Sequence, residues 1–342
     1  MPVRIALDAM GGDYAPLEVV KGAVDALREF DMEIVLVGQE ERIREVLPRG
    51  DVRGLHIQDA REVIAMGESP AMAVRAKKDS SLVVGMGLVK QGNCQAFLSA
   101  GNTGAVMASA LFVLGRIHKV ERPAIGGVFP TLQGRSMVID MGANVDCRPV
   151  HLVQFAHMGS VYMEKVFGIA TPRVGLLSNG EEKSKGNQVT VQAHGLLEKS
   201  GLNFVGNIEG KDILRGVAEV VVTDGFVGNI VVKLGEGLSE TLFSLMRKVM
   251  TSKPHFGIAA MVLEPAFQQV ARYLDYTEHG GAPLLGVRGV VIITHGRCNA
   301  KAVKNALGLA RNAVEQDIVG AIASGLGAPS DSESAGLDSV PV

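Results

Sequence analysis

The chain has 342 residues, 47% of them hydrophobic and 20% charged, with a formal net charge of -2; this fits a folded protein with a large core and excludes a disordered or fibrous one. The near-neutral balance supplies no global field for gathering nucleic acid. The absence of Trp, with only 4% aromatic residues, leaves few platforms for stacking bases, so nucleic acid is excluded as a partner.

In chain order, the first residues run straight into Arg4-Ile-Ala-Leu-Asp8, with no basic stretch ahead of a long apolar core, so no secretion signal is expected. No run of about 18 apolar residues reads as a membrane-spanning helix. Cys94, Cys147 and Cys298 lie far apart without a CxxC pair, which suggests neither a metal site nor a disulfide framework and fits a reducing cytoplasm.

Short apolar runs at Val3 to Leu7, Ile34 to Val37, Ala96 to Leu98, Ser136 to Ile139, Val174 to Leu177, Val220 to Val222 and Val290 to Ile293 predict strands. They show no polar alternation, so both faces are buried, and helix-like stretches separate most of them. This predicts an α/β/α sandwich around a mostly parallel sheet. Residues 251–276 break the rhythm with the apolar run Phe256 to Leu263, then Pro265, then Phe267, Val270, Ala271 and Leu274 at helical spacing. They predict an inserted amphipathic helical hairpin. The main domain is expected over residues 1–323, with 324–342, rich in Gly, Ser, Pro and acidic residues, as a disordered tail.

Five polar, Gly-containing loops follow predicted strands: Asp8-Ala-Met-Gly-Gly-Asp13, Ser99-Ala-Gly-Asn-Thr-Gly104, Asp140-Met-Gly-Ala-Asn144, Ser178-Asn-Gly180 and Thr223-Asp-Gly225. Glycine allows close backbone approach, so such loops can turn N–H groups toward a phosphate. One loop alone reads as a structural turn; five carrying Asn or Asp shift the balance. In an open α/β sheet the ligand sits beyond the carboxyl ends of the strands, so these loops are expected to converge on one active site. No GxGxxG follows the first strand and no GxxxxGK[ST] occurs, which disfavours the standard nucleotide sites. Lys183 and Lys185 lie in the loop 178–187, where a lysine could meet an anion or a developing oxyanion, although a solvated charged loop is the plainer reading. Asp224 could cap a helix or orient a neighbour, and Asn229 could donate to a carbonyl oxygen. His194, mid-helix, reads as structural. His295, at a strand end, is the better candidate for acid-base work, and His279 is a third possibility.

Together Leu7-Asp-Ala-Met-Gly-Gly-Asp-Tyr-Ala-Pro16, Ser99-Ala-Gly-Asn-Thr-Gly-Ala105, Gly142-Ala-Asn-Val-Asp146, Thr223-Asp-Gly-Phe-Val-Gly-Asn229 and His279-Gly-Gly-Ala282 closely resemble the bacterial phosphate acyltransferase family. The resemblance runs from the first strand to about Ala323. It implies a fold like that of isocitrate and isopropylmalate dehydrogenases, a homodimer, no metal or other cofactor, and reversible transfer of a fatty acyl group from acyl carrier protein to inorganic phosphate. It also implies hand-over of the acyl phosphate to a membrane glycerol-3-phosphate acyltransferase for phospholipid synthesis. A cytoplasmic protein held peripherally at the inner face of the cell membrane follows.

Placed on this chemistry, Lys185, Asn229, Asp224, Asp8 and His295 are the expected catalytic group. Gly11, Gly12, Gly101, Asn102, Thr103, Gly104, Asn144, Ser178 and Asn179 are expected to bind substrate, with Lys185 and the Gly101 to Gly104 backbone sharing the phosphate. Phe256, Ile258, Met261, Val262, Leu263 and Phe267 are expected at the membrane or the acyl chain. Burying about four such side chains would contribute at most roughly 6–12 kcal/mol, enough for reversible attachment. Arg116, His118, Lys119 and Arg122 form one basic patch for the acidic carrier, and Arg247, Lys248 and Lys253 another. The competing readings are a soluble phosphotransacylase using short-chain acyl-CoA, a decarboxylating dehydrogenase, for which no Asp cluster stands out, and a membrane-attached scaffold.

Overall fold

The computed structural model describes residues 2–274 and 280–326. Eleven strands form one sheet: β1 (Val3–Asp8), β2 (Met32–Gly38), β3 (Leu55–Asp59), β4 (Ala96–Ser99), β5 (Ala124–Thr131), β6 (Gly134–Ile139), β7 (Val174–Leu177), β8 (Phe204–Ile208), β9 (Val220–Val222), β10 (Ala282–Leu285) and β11 (Val290–Ile293). Their order is β3-β2-β1-β4-β11-β10-β5-β6-β9-β7-β8. All seven predicted strands are present. The four unpredicted ones carry weak signals: β3 and β8 are the sheet edges and half exposed, β10 has four residues including Pro283, and β5 reads Ala-Ile-Gly-Gly-Val-Phe-Pro-Thr.

Helices cover both faces, because alternate residues of each central strand feed different cores. Ile5 and Leu7 pack with Ile34, Leu98 and the helices Leu17–Glu29 and Ala300–Glu315. Ala6 packs instead with Val35, Phe97, Leu82 of helix Ser81–Lys90 and Val106 of helix Thr103–Ser109.

The sheet is parallel within each half but not across it. β3, β2, β1, β4 and β11 run together, as do β6, β9, β7 and β8. Between them β10 is antiparallel to β11 and to β5, and β5 is antiparallel to β6. Three successive reversals leave the two halves pointing in opposite senses, so their loops leave the sheet by opposite edges. Helix Thr103–Ser109, continued by a π-helical stretch Ala110–Leu114, spans from one set of loops toward the other.

The helical insertion is longer than expected. Its first arm is the helix Gly225–Met250, and its second, Pro254–Leu274, runs through Pro265 instead of breaking there. Met261, whose carbonyl loses its bond to the proline nitrogen, is exposed, as is Pro265, so water can take the place of the missing donor. The long helix, roughly 39 Å from end to end, carries Phe226, Ile230, Leu234, Leu238, Leu242, Leu245 and Val249 along one stripe, with Leu234 68% and Leu242 50% exposed. Met261, Val262, Leu263 and Val270 of the second arm are also exposed. The side chains of Phe256 and Ile258, His279 and the tail beyond residue 326 lie outside the described residues. No helix among the described residues is long and apolar enough to cross a membrane.

Candidate active site

The first cluster of loops is organised by Asp8, buried at the end of β1. Its Oδ2 accepts the Ser99 hydroxyl at 2.7 Å and its Oδ1 the Met10 N–H at 3.0 Å; Ser99 Oγ in turn accepts the Gly101 N–H at 3.0 Å. A Cβ on Gly11 would lie 2.4 Å from Asp8 Oδ2 and 2.6 Å from Gly101 N, so only glycine lets the two loops close. Burial pushes the Asp8 carboxyl above the usual carboxylate range, against the pull of these hydrogen bonds. Gly12 has φ +102°, and the next residue, Asp13, donates its N–H to Gly296 O at 2.7 Å, which brings the His295 loop alongside. His295 is exposed, and its Nδ1 accepts the Arg297 N–H at 3.1 Å. Asn102 caps the helix that follows through Ala105 N, while its Nδ2 donates to Met66 O at 2.8 Å and Glu68 O at 3.3 Å.

The second cluster is organised by Asp140, buried beyond β6. Its Oδ1 accepts N–H groups from Ile125, Gly142 and Ala143, and its Oδ2 accepts Asn144 N at 2.7 Å and Asn144 Nδ2 at 2.9 Å. Burial again raises the carboxyl despite these donors. The Asn144 amide also donates to Pro123 O at 2.7 Å, so its hydrogens serve the protein rather than a ligand. Asn144 O accepts Gly225 N at 2.7 Å, and Asp224 caps the long helix through Val227 N at 2.8 Å. A Cβ on Gly228 would sit 1.9 Å from Asp140 O, which is why the helix can press against this loop. Asn229 is exposed on the next position, and its side chain lies 3.7 Å from where a Gly142 Cβ would be.

The loop 178–187 follows β7, in the same half of the sheet. Ser178 N donates to Ile208 O, and Asn207 Nδ2 holds Glu182 O at 2.8 Å. Lys183 is tied to Glu198, whereas Lys185 is exposed with no acidic partner among the described residues. Asn179 is exposed too. His194 is structural as expected, buried with Nδ1 2.9 Å from Asn207 Oδ1 and its ring edge-on to Phe204.

Beside Asn144 opens a hollow of about 520 Å³. Arg116, Arg122, Arg148, Glu121 and His151 line one side, and Met107 and Leu111, from the helix begun at Asn102, line another. His151, its side chain 4% exposed, accepts the Arg148 N–H on Nδ1 and so donates from Nε2 to Glu121 Oε2 at 3.1 Å. Burial holds its pKa below the ordinary histidine value, outweighing the pull of Glu121. No thiol is primed for covalent work: burial pushes Cys94 up to about 11 and Cys147 up to about 12.

A family model described as "Fatty acid synthesis protein" matches residues 3–320. Phosphate acyltransferase from Pelotomaculum thermopropionicum is 53% identical over 325 residues, covering 95% of each chain. The enzyme of the same name from Desulfitobacterium hafniense strain Y51 is 51% identical, covering 93% of this chain and 95% of its own. The chain belongs to the phosphate acyltransferase family. It is an acyltransferase, and phosphate is its acyl acceptor. The fold of this phosphate acyltransferase is shared with EutD phosphotransacetylase from Staphylococcus aureus, at 16% identity and TM-score 0.59 over 92% of this chain and 94% of that one. It is shared also with 4-hydroxythreonine-4-phosphate dehydrogenase from Klebsiella pneumoniae, at 12% identity and TM-score 0.53 over 92% and 98%. The dehydrogenase-like architecture is thereby established.

The five loops of the phosphate acyltransferase do not form one hydrogen-bonded site. Asp8, Gly11, Gly12, Gly101, Asn102, Thr103, Gly104 and His295 belong to the first cluster; Asn144, Asp224 and Asn229 belong to the second, with Ser178, Asn179 and Lys185 in a loop of the same half of the sheet. Among the described residues no hydrogen bond links the two clusters, and Lys185 and the Gly101 to Gly104 backbone stand in different ones. The reason is topological: the reversals through β10, β5 and β6 turn the second half of the sheet around. Sequence reasoning placed Asp140 at the start of a candidate loop but gave it no role, although it repeats the signal of Asp8, an aspartate ending a buried strand shortly ahead of a glycine. It also missed Arg148 and His151, which meet Arg122 only through the fold.

Proposed function

We propose that this phosphate acyltransferase takes a fatty acyl group from the thioester of acyl carrier protein, reversibly, and releases acyl phosphate for phospholipid synthesis. The observation that carries the fatty acyl part is the exposed apolar stripe of the helix pair 225–274, since seven large apolar side chains on one helix face call for a cover. A second copy along the long helix would make the homodimer. The middle of the second arm, with Met261, Val262, Leu263 and Phe267, would touch the inner face of the cell membrane and admit the acyl chain. Acyl phosphate would pass there to a membrane glycerol-3-phosphate acyltransferase.

In the transfer a phosphate oxygen bonds to the thioester carbonyl carbon, the carbon–sulfur bond breaks, and the proton of hydrogen phosphate leaves on the carrier thiol. Such a step depends on positioning and on stabilising the oxyanion. We assign that charge to Asn229 and Lys185, with Asp140, Asn144 and Asp224 holding their loops. The glycine loops around Asp8, with His295 at their rim, would form a second binding surface for the donor arm, linked to the first by the helix that begins at Thr103. The basic residues Arg247 and Lys248, in the last turn of the long helix, would meet the acidic carrier.

The test is release of carrier thiol from palmitoyl acyl carrier protein, with product trapped by hydroxylamine. Release that depends on phosphate supports the reading. Turnover with short-chain acyl-CoA but not with the carrier would make the protein a soluble phosphotransacylase. Vesicle flotation of Leu263→Asp tests the membrane contact, and binding equal to that of the unaltered chain would remove it.

A further inference from the structure

We propose that the arginine hollow beside Asn144 binds the phosphate dianion, as free phosphate before transfer and as the head of the acyl phosphate after it. The inference rests on the reading of phosphate as acyl acceptor and names where it sits.

Charge favours the hollow. Three guanidiniums, on Arg116, Arg122 and Arg148, face one carboxylate, Glu121, while His151 is held neutral by the N–H it accepts from Arg148. The excess matches a dianion, and planar guanidinium donors fit phosphate oxygens. Part of the site is set before any ligand arrives: Arg148 pairs with Glu121, which His151 also holds from a buried position. Arg122 is exposed, with no acidic partner among the described residues, and can close on an anion. The glycine loop offers less, because Gly101 N already serves Ser99 Oγ and the Asn102 side chain is committed to Ala105, Met66 and Glu68.

Shape and place agree with this charge. At about 520 Å³ the hollow exceeds what phosphate fills, and Met107 and Leu111 offer an apolar wall to the first methylenes of an acyl group. Asn144 lines it, two residues from Gly142, where an added Cβ would lie 3.7 Å from the Asn229 side chain.

Steady-state kinetics with phosphate and palmitoyl acyl carrier protein varied in turn test the proposal. Arg122→Gln and Arg148→Gln are expected to raise KM for phosphate about tenfold or more, the loss of one charge-assisted contact, and to leave KM for the carrier within about twofold. Lys199→Gln, an exposed lysine that does not line the hollow, should leave KM for phosphate unchanged. If Arg148→Gln fails to fold, the exposed Arg122 decides alone. An unchanged phosphate KM in folded Arg122→Gln overturns the proposal. So does a rise confined to the carrier, which would give the hollow to the phosphodiester of the donor's pantetheine arm. If the unaltered chain shows no phosphate-dependent thiol release, the acceptor reading fails separately, and equilibrium dialysis with inorganic phosphate still decides the hollow: binding lost in Arg122→Gln supports it, binding retained refutes it.

Discussion

Asp8 and Asp140 end buried strands in opposite halves of the sheet, and each gathers the loops of its own half, but by different means. Asp8 accepts one hydroxyl and one backbone N–H and works through Ser99, whereas Asp140 accepts four backbone N–H groups and one side-chain amide directly. Both carboxyls are raised by burial, so neither is set up as an exposed base. The comparison teaches that a buried aspartate in such a loop positions the backbone around it, whether through a relayed hydroxyl or by direct acceptance of N–H groups.

Removing the carboxylates breaks the comparison most sharply. Asp140→Ala strands five donors in the interior and is expected to cost at least about 3 kcal/mol in denaturant unfolding, against about 2 kcal/mol for Asp8→Ala, which strands two. Equal losses would show that the number of donors does not set the cost. Next in size, Lys185→Ala and Asn229→Ala are expected to lower kcat about 10- to 100-fold with the melting temperature unmoved, since both side chains are exposed. Near-normal turnover in both would take the oxyanion role away from this cluster.

The smallest effect separates charge from geometry at Asp8. Its folded pKa is raised, so the native state holds that proton to a higher pH than the unfolded chain, and stability falls as pH climbs from the ordinary carboxylate range toward the raised value. Asp8→Asn keeps an acceptor for Met10 N but cannot ionise. The stability of the unaltered chain relative to this variant should therefore decline with rising pH across that window, by no more than about 1.4 kcal/mol per pH unit. A flat difference would mean that the buried carboxyl ionises as readily as in the unfolded chain. Asp140 contributes to both proteins and drops out.

The chain's own residues announced much of this. Val, Ile and Leu runs without polar alternation located β1, β2, β4, β6, β7, β9 and β11, because a strand buried on both faces has no other composition to choose. His194 as a core residue was readable from its neighbours, and Asp224 could be read from them as a cap or as an orienting group, of which the cap is present. The edge strands β3 and β8 were not, since one solvated side dilutes the apolar signal, nor was β5, whose two glycines make room for Met137 and Met141. The helix through Pro265 escaped because a proline breaks a pattern more reliably than it breaks an exposed helix.

By itself, then, the sequence determined the α/β class, the loops that carry Asp, Asn and Gly, and the family, all of which are local properties written in consecutive residues. Only the tertiary structure decided which loops meet. The sense of each strand depends on pairings between residues far apart in the chain, and three reversals at β10, β5 and β6 set the loops in two clusters, each hydrogen-bonded within its own half. The same long-range packing set Arg148, the cap of one helix, and His151 in its first turn beside Arg122 and Leu111, a juxtaposition that no local pattern encodes.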